Sequence, residues 1–445
     1  MKGQMIMGII LLVILAIAEI TLVVLTFTKF KEKSSWRKNK VIIRLAETVL
    51  VTAMILLPGV HMKWRFFGVL SVVAVRFIFA GIMWLIKRKK DDGLKKKAWT
   101  VVNCVLSTIL IFFMLVPAFI FTNYNGLPLT GEYKVNQVSA VLVDKNRTDP
   151  FEGKGSQREV PAHFYYPENA NGSYPLVIFS HGAFGYYQSN DSTYKELASN
   201  GYVVVSLDHP HHSFFTKKAD GSTVTVDPGF FNEAMTVGGG DSSSCEEIYK
   251  ITKDWTKLRT DDESFVLDSI KSAKTSGELS GSWHTDDKAL VISVIDKINT
   301  DKIGAIGHSL GGAAGIELGR KRSDISAVVD LDGTPLGEIT GVENGKFVVN
   351  KTPYTVPLLI FGHCDDEISD EISKNAKDSK LVLCDGSNHM DFTDLSLISP
   401  TISEALSGPS TVDRENFLKD VNAAILNWFD YYLKNEGTLK EQVFS

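Results

Sequence analysis

Four apolar runs, at about residues 5–28, 41–60, 66–86 and 99–122, occupy the start of the chain. Each is close to the roughly 20 residues that cross a bilayer as a helix. They constrain the fold more than any other feature, because in hydrocarbon each backbone N–H and C=O must be satisfied inside its own segment, and for runs of this length the helix does so. Charge divides at the same place. Up to Asn123 there are 18 Lys and Arg against 5 Asp and Glu, a net of +13, whereas the rest of the chain carries 29 against 47, a net of −18. Two environments are implied: a transmembrane domain over residues 1–123 and an acidic globular domain over 124–445.

Loop charge orients the membrane part, since short cytoplasmic loops accumulate Lys and Arg. Residues 29–40 carry six and residues 87–97 carry seven, while the loop between them has only Lys63 and Arg65. The N-terminus is therefore expected outside, both basic loops inside, and the acidic domain outside a multi-pass cell membrane. Ala16-Ile17-Ala18 has the look of a signal-peptide cleavage site, but the apolar run continues to Phe27, longer than a signal-peptide core, so an uncleaved helix is expected. Glu19, Arg44, Glu47 and Arg76 lie within the apolar runs and need partners there. Glu19 and Arg76 fall near mid-depth and Arg44 and Glu47 one turn apart, either as staples of the bundle or in a transport or sensing role.

From about Thr130 short apolar runs alternate with helical segments, the pattern of a mostly parallel sheet covered on both faces by helices. Eight strands are expected, at 139–143, 162–166, 176–179, 202–207, 303–306, 327–331, 358–361 and 380–384. A last helix over 412–433 carries Phe417, Val421, Ile425, Trp428 and Tyr432 as an apolar stripe at helical spacing. Residues 213–281 form an insertion, with Gly238-Gly239-Gly240 and Ser242-Ser243-Ser244, that reads as a partial lid or as a plain disordered excursion. His209, His211 and His212 lack acidic or thiol partners at ligand spacing, so they read as loop polarity rather than a metal site. Cys364 and Cys384 close two strands that can be neighbours, which leaves a disulfide geometrically open though disfavoured beside an active site.

Gly307-His308-Ser309-Leu310-Gly311 has the setting of a nucleophile elbow: an apolar strand runs into it and the helix 310–320 runs out. Upstream, Phe179-Ser180-His181-Gly182-Ala183 ends a buried strand at the place where such a fold sets one oxyanion-hole amide. The donors would be the backbone N–H groups of Ala183 and Leu310. Downstream stand two acids, Asp332 and Asp366, and then His389, in the α/β-hydrolase order of serine, acid, histidine. His308 should point away from the nucleophile, and His181 should brace the oxyanion loop.

These segments, with Asp330-Leu331-Asp332-Gly333 and Gly386-Ser387-Asn388-His389-Met390-Asp391-Phe392, resemble the platelet-activating-factor acetylhydrolase family of α/β-hydrolases over roughly residues 126–445. The resemblance implies an α/β-hydrolase fold, a triad of Ser309, Asp332 and His389, and hydrolysis of short or oxidised acyl chains on phospholipid-like esters. Ile360-Phe361-Gly362-His363-Cys364-Asp365-Asp366 also resembles the strand end where cutinase-like and dienelactone-hydrolase-like enzymes keep their acid, so Asp366 competes with Asp332. The expected activity is a membrane-anchored serine esterase that uses no metal or organic cofactor and no nucleic acid. The alternatives are a general carboxylesterase, or a catalytically silent hydrolase fold acting as a membrane sensor.

Overall fold

The computed structural model describes residues 2–29, 32–87, 96–153, 155–238 and 244–440. Part of the second basic loop, 88–95, and most of the Gly/Ser stretch, 239–243, lie outside the described residues. The chain forms two compact units, Met1–Gly126 with Leu395–Ala405, and Leu127–Asp394 with Leu406–Ser445.

The first unit consists mainly of four helices, α1 (Lys2–Thr28), α2 (Lys33–Leu56), α3 (Phe67–Lys87) and α4 (Lys97–Ile120). Each packs against two neighbours, and Leu15, Val51, Val69, Val73, Ile111 and Leu115 meet between them. Their outward faces are also apolar: Ile17, Val24, Val75, Phe79 and Phe113 are exposed, a surface far more hydrophobic than water-facing helices present. Among the described residues, three helices are long and apolar enough to cross a membrane. The helix α2 is not among them: it ends at Leu56, short of the expected 60, its apolar part from Val41 carries Arg44 and Glu47, and its first turns, which begin eight residues before the expected start, carry Lys33, Arg37, Lys38 and Lys40.

The charges in this unit do not form two separate pairs. Arg44 sits at the centre, donating from Nη1 and Nη2 to the two carboxylate oxygens of Glu19 at 2.6 and 2.8 Å and from Nη1 to Glu47 at 2.7 Å, while Arg76 also bonds Glu19. Glu19 and Arg76, both expected near mid-depth, do pair, and Arg44 joins them to Glu47. The unit also takes in Leu395–Ala405, a segment far along the chain from its helices. Thr122 N donates to Ile398 O (2.8 Å) and Ser399 Oγ to Ile120 O (2.9 Å), which satisfies groups at the C-terminal end of α4.

The second unit is built on strands β1 (Val135–Thr148), β2 (Gln157–Pro167), β3 (Tyr174–Ser180), β4 (Val203–Leu207), β5 (Ile298–His308), β6 (Ile325–Leu331), β7 (Leu358–Gly362) and β8 (Ser379–Leu383). They lie in the order β8-β7-β6-β5-β3-β4-β2-β1. From β4 through β3 to β8 every pairing is parallel; β2 is antiparallel to β4 and β1 to β2. All eight expected strands are present. A ninth, Trp283–His284, adds two residues to the edge of β1, too short to leave a periodic signal.

Leu176 and Ile178 of β3 face one core layer while Val177 and Phe179 face the other, so a central strand must be apolar throughout. The predicted stripe Phe417, Val421, Ile425 and Trp428 fills the second layer from helix Arg414–Phe429. The insertion does not stand apart from the core. Its longest element, helix Cys245–Ser276, buries Val266, Leu267 and Ile270 in the first core layer, so that stretch is structural core.

Candidate active site

The C-terminal ends of β5, β6, β7 and β8 converge on one cavity of about 410 Å³ lined by Ser309, Asp332, His363, His389, Ala183 and Leu310. Strand β5 stops at His308, and helix Leu310–Lys321 starts two residues later. Ser309 between them has φ 55° and ψ −124°, a backbone state that costs a non-glycine residue on the order of 1–3 kcal/mol. The turn closes so tightly that a Cβ on Gly307 would lie 2.2 Å from Gly311 carbonyl atoms, and one on Gly311 would lie 2.0 Å from Ser180 O. Only glycine fits at either position.

Beyond β6, Asp332 also adopts a positive φ, 58°, anchored by its N–H to Phe361 O at 2.8 Å. Its carboxylate meets His389 Nδ1 directly. A second imidazole, His363, holds the same group: its backbone N–H donates to Oδ1 at 2.7 Å and its Nδ1 lies 2.7 Å from Oδ2. Burial works against the charged carboxylate, but the hydrogen bonds from His363 and His389 outweigh it and hold Asp332 well below the usual carboxylate range. The same bond raises the pKa of His363. Asp332, His363 and His389 are close enough to share a cation, yet the contacts between them are those of hydrogen bonds.

His389 is fixed by its own turn, His389–Phe392. Asn388 caps it by accepting from Asp391 N at 3.1 Å, and Asp391 accepts in return from Asn388 N at 2.9 Å. His308 turns away from the cavity centre and lies under this turn, with Nε2 donating to His389 O at 3.0 Å. Burial pushes its pKa down to about 3, which keeps it neutral.

Asp366 has another task. Its carboxylate accepts from Ser369 N at 2.9 Å and Ser369 Oγ at 2.6 Å, capping helix Glu367–Asn375, and the carboxylate on His389 is that of Asp332. Cys364 and Cys384 are both free thiols.

Beneath the loop that carries Gly182 and Ala183 lies a buried polar network. His181 Nδ1 donates to Gly182 O at 2.6 Å and its Nε2 meets Ser213 Oγ at 2.8 Å, so it braces the loop as expected. Arg259, wholly buried, donates to His181 O and, at 3.4 Å, to Gly182 O; burial lowers its pKa to about 9. His209 bridges Ser180 Oγ and Asp262 Oδ2, each at 2.9 Å, and His212 stacks on Phe230 with ring centres 3.8 Å apart. The reading of 209–212 as loop polarity is therefore corrected: His209 and His212 are buried, and what looked like a partnerless cluster finds its acid, Asp262, 53 residues on. His211 reaches Glu152 at 3.3 Å.

Sequence reasoning missed His363, Arg259 and Asp262. A signal existed only for His363, which follows directly on a strand beside the one that leads into Asp332. From the insertion, helix Pro228–Gly238 supplies Ala234 and Val237 to the cavity wall, together with Trp255.

A sheet of this order with its polar groups at the parallel strand ends is consistent with an α/β-hydrolase. The likeness extends to a solved structure, the ferulic acid esterase from Streptomyces cinnamoneus, at a TM-score of 0.51 and 17% identity, over 71% of this chain and 95% of that one. The family model of platelet-activating factor acetylhydrolase, isoform II, matches residues 153–442, and the chain belongs to that family. Relatives named platelet-activating factor acetylhydrolase include that of Cavia porcellus, 24% identical over 62% of this chain and 61% of its own length, and that of Gallus gallus, 24% identical over 52% and 54%. A probable 1-alkyl-2-acetylglycerophosphocholine esterase of Arthroderma benhamiae is 26% identical over 38% of this chain and 33% of its own length. The chain thus spans about half to three fifths of the length of the first two relatives.

Proposed function

We propose that the chain is a membrane-anchored serine hydrolase that cleaves short or oxidised acyl chains from phospholipid-like esters. The observation that carries this reading is Ser309 on its strained elbow in one cavity with His389, whose Nδ1 is held by Asp332. In the reaction, His389 Nε2 takes the proton from Ser309 Oγ as the oxygen attacks the ester carbonyl. The oxyanion develops toward the N–H groups of Ala183 and Leu310, and Asp332 stabilises the imidazolium. His389 then protonates the departing alcohol, and water, activated by the same imidazole, releases the acyl group from Ser309.

The relatives named as acetylhydrolases support the ester class, and the apolar walls from Val237, Trp255 and Leu336 support a lipophilic acyl group. The apolar outer faces of the first unit support anchoring by four spans, with α2 crossing as the charged member of the bundle and the hydrolase unit outside the cytoplasm. Tethering would raise the effective concentration of membrane-borne esters at the site.

A fluorophosphonate probe should label the wild-type chain in membranes and leave Ser309→Ala unlabelled. Nitrophenyl esters from acetyl to palmitoyl, with a short-chain phospholipid, test the acyl class: rates should fall with chain length, and a steady rise to palmitoyl would reject it. Protease added to intact cells should digest the hydrolase unit, and its protection would reject the outward orientation.

A further inference from the structure

Asp332 carries more imidazole than a triad requires. One ring, that of His389, faces it as the base of the triad; a second, that of His363, brings Nδ1 to 2.7 Å from the same carboxylate oxygen, Oδ2. One ligand atom from each of Asp332, His363 and His389 lies within 4.8 Å of the other two. We propose that these three side chains, with the thiol of Cys364, form an inhibitory zinc site that switches the hydrolase off.

The donor set points to the metal. Two imidazole nitrogens, a carboxylate oxygen and a thiolate are ligands that tetrahedral zinc takes, whereas magnesium and calcium select oxygen. Cys364 follows His363 in the chain, and its Sγ lies 3.9 Å from His363 Nδ1. Sulfur and nitrogen on one tetrahedral zinc lie roughly 3.6 Å apart, from the ordinary bond lengths. All four residues line the cavity that holds Ser309, so an ion reaches them by the route the substrate takes. The rings have room to adjust, since the side chains of His363 and His389 are 36% and 29% exposed against 6% for Asp332. Nitrogen and oxygen on zinc stand roughly 3.3 Å apart, so His363 Nδ1 has to withdraw from the carboxylate by about 0.6 Å. The carboxylate and the thiolate together balance the two charges of the ion.

Inhibition follows from where the protons go. In the resting triad the proton of His389 is on Nδ1, which leaves Nε2 to accept from Ser309 Oγ. A metal on Nδ1 takes the lone pair there and the proton moves to Nε2, so the ring stays neutral but no longer serves as a base. His363 binds in the same way, through Nδ1 with its proton on Nε2, and Cys364 binds as the thiolate after giving its proton to water. No covalent bond of Ser309 changes, so removing the ion restores the enzyme. The inference rests on the triad reading proposed above.

The test uses the full chain in detergent, with nitrophenyl acetate as substrate and zinc chloride added in steps. Zinc should stop hydrolysis and block fluorophosphonate labelling of Ser309, EDTA should restore both, and magnesium at the same concentration should do neither. His363→Gln and Cys364→Ser, each scored against its own zinc-free rate, should raise the inhibiting zinc concentration by at least about tenfold, the lower end of what even an outer-sphere change costs a metal site. Cys245→Ser removes a thiol that does not line the cavity and should leave that concentration unchanged. Cobalt(II) titrated into the wild type should give the visible bands of a tetrahedral ion and a thiolate charge-transfer band that Cys364→Ser loses, a readout that does not depend on turnover. Equal inhibition of the wild type, His363→Gln and Cys364→Ser, or inhibition by magnesium as strong as by zinc, would overturn the site and leave the triad reading untouched. Cobalt bands in a wild type that hydrolyses no ester would instead overturn the triad reading, and the inhibition with it.

Discussion

Replacing Asp332 by asparagine keeps the shape of the residue and removes the feature on which His389 depends. The carboxylate accepts from His389 Nδ1 and from two donors of His363, so it meets three N–H groups with two oxygens. A carboxamide offers one oxygen and an N–H₂ that must point at one of those donors. If it turns toward His389, the ring adopts the other tautomer, with Nε2 protonated and unable to accept the proton of Ser309. In triad hydrolases this substitution lowers turnover by on the order of 10³- to 10⁴-fold, which corresponds to about 4–5.5 kcal/mol of lost transition-state stabilisation. Asp366→Asn should be nearly silent, because its carboxylate caps helix Glu367–Asn375 and asparagine is as good an N-cap as aspartate. The assay is kcat and kcat/KM on a nitrophenyl acetate ester for both variants, with far-ultraviolet circular dichroism as the check on folding. If Asp332→Asn kept more than a tenth of wild-type turnover, or if Asp366→Asn were the more damaging, the assignment of the acid would be wrong.

Ser309→Ala and His389→Ala should each lower ester hydrolysis by about 10⁴-fold or more, and the double variant should lose little beyond either, as residues acting in one step do; multiplicative losses in steady-state kinetics would break the pairing. His209 is buried with its pKa lowered to about 4, by burial first and then by the Arg259 charge, whereas the unfolded chain takes up that proton near pH 6.5. The unfolded state therefore binds more protons between about pH 6.5 and 4, and stability should fall by about 3 kcal/mol across that window from this group alone. Urea unfolding at several pH values checks this, since His209→Gln should flatten the slope and an unchanged slope would remove His209 as its source. In the first unit, Arg44→Leu strands Glu47 and leaves Glu19 with Arg76 alone, and should destabilise by about 3–5 kcal/mol, while Arg76→Leu leaves Glu19 on both Arg44 nitrogens and should cost less; thermal unfolding in detergent giving the reverse ranking would refute that hub.

What the sequence made legible was what is encoded within a few residues. The elbow reads directly because its steric demand, glycine at 307 and 311 around Ser309, is local, and the central strands read because burial on both faces makes each an unbroken apolar run. The start of α2 was not legible: the apolar run begins at 41, but the helix extends back through four cations that hydropathy assigns to a loop. Asp262, Arg259 and His209 were hidden for a different reason. Each is a polar residue on a segment that looks solvated, and their burial follows from helix Cys245–Ser276 crossing beneath the His181-Gly182 loop, which no periodicity announces. The choice between Asp332 and Asp366 belongs to this second kind. Both follow strands that end beside His389, and spacing alone does not separate them. Two local facts divide their tasks: a positive φ at 332 accompanies the carboxylate turned to the histidines, and a serine three residues after 366 takes the other carboxylate into a helix cap. The second was open to a reader of Asp366-Glu367-Ile368-Ser369 as a helix start, since an aspartate that caps has its oxygens engaged by backbone N–H groups. A candidate acid at a strand end is thus best weighed against the helix that follows it, because the cap and the histidine compete for the same two oxygens.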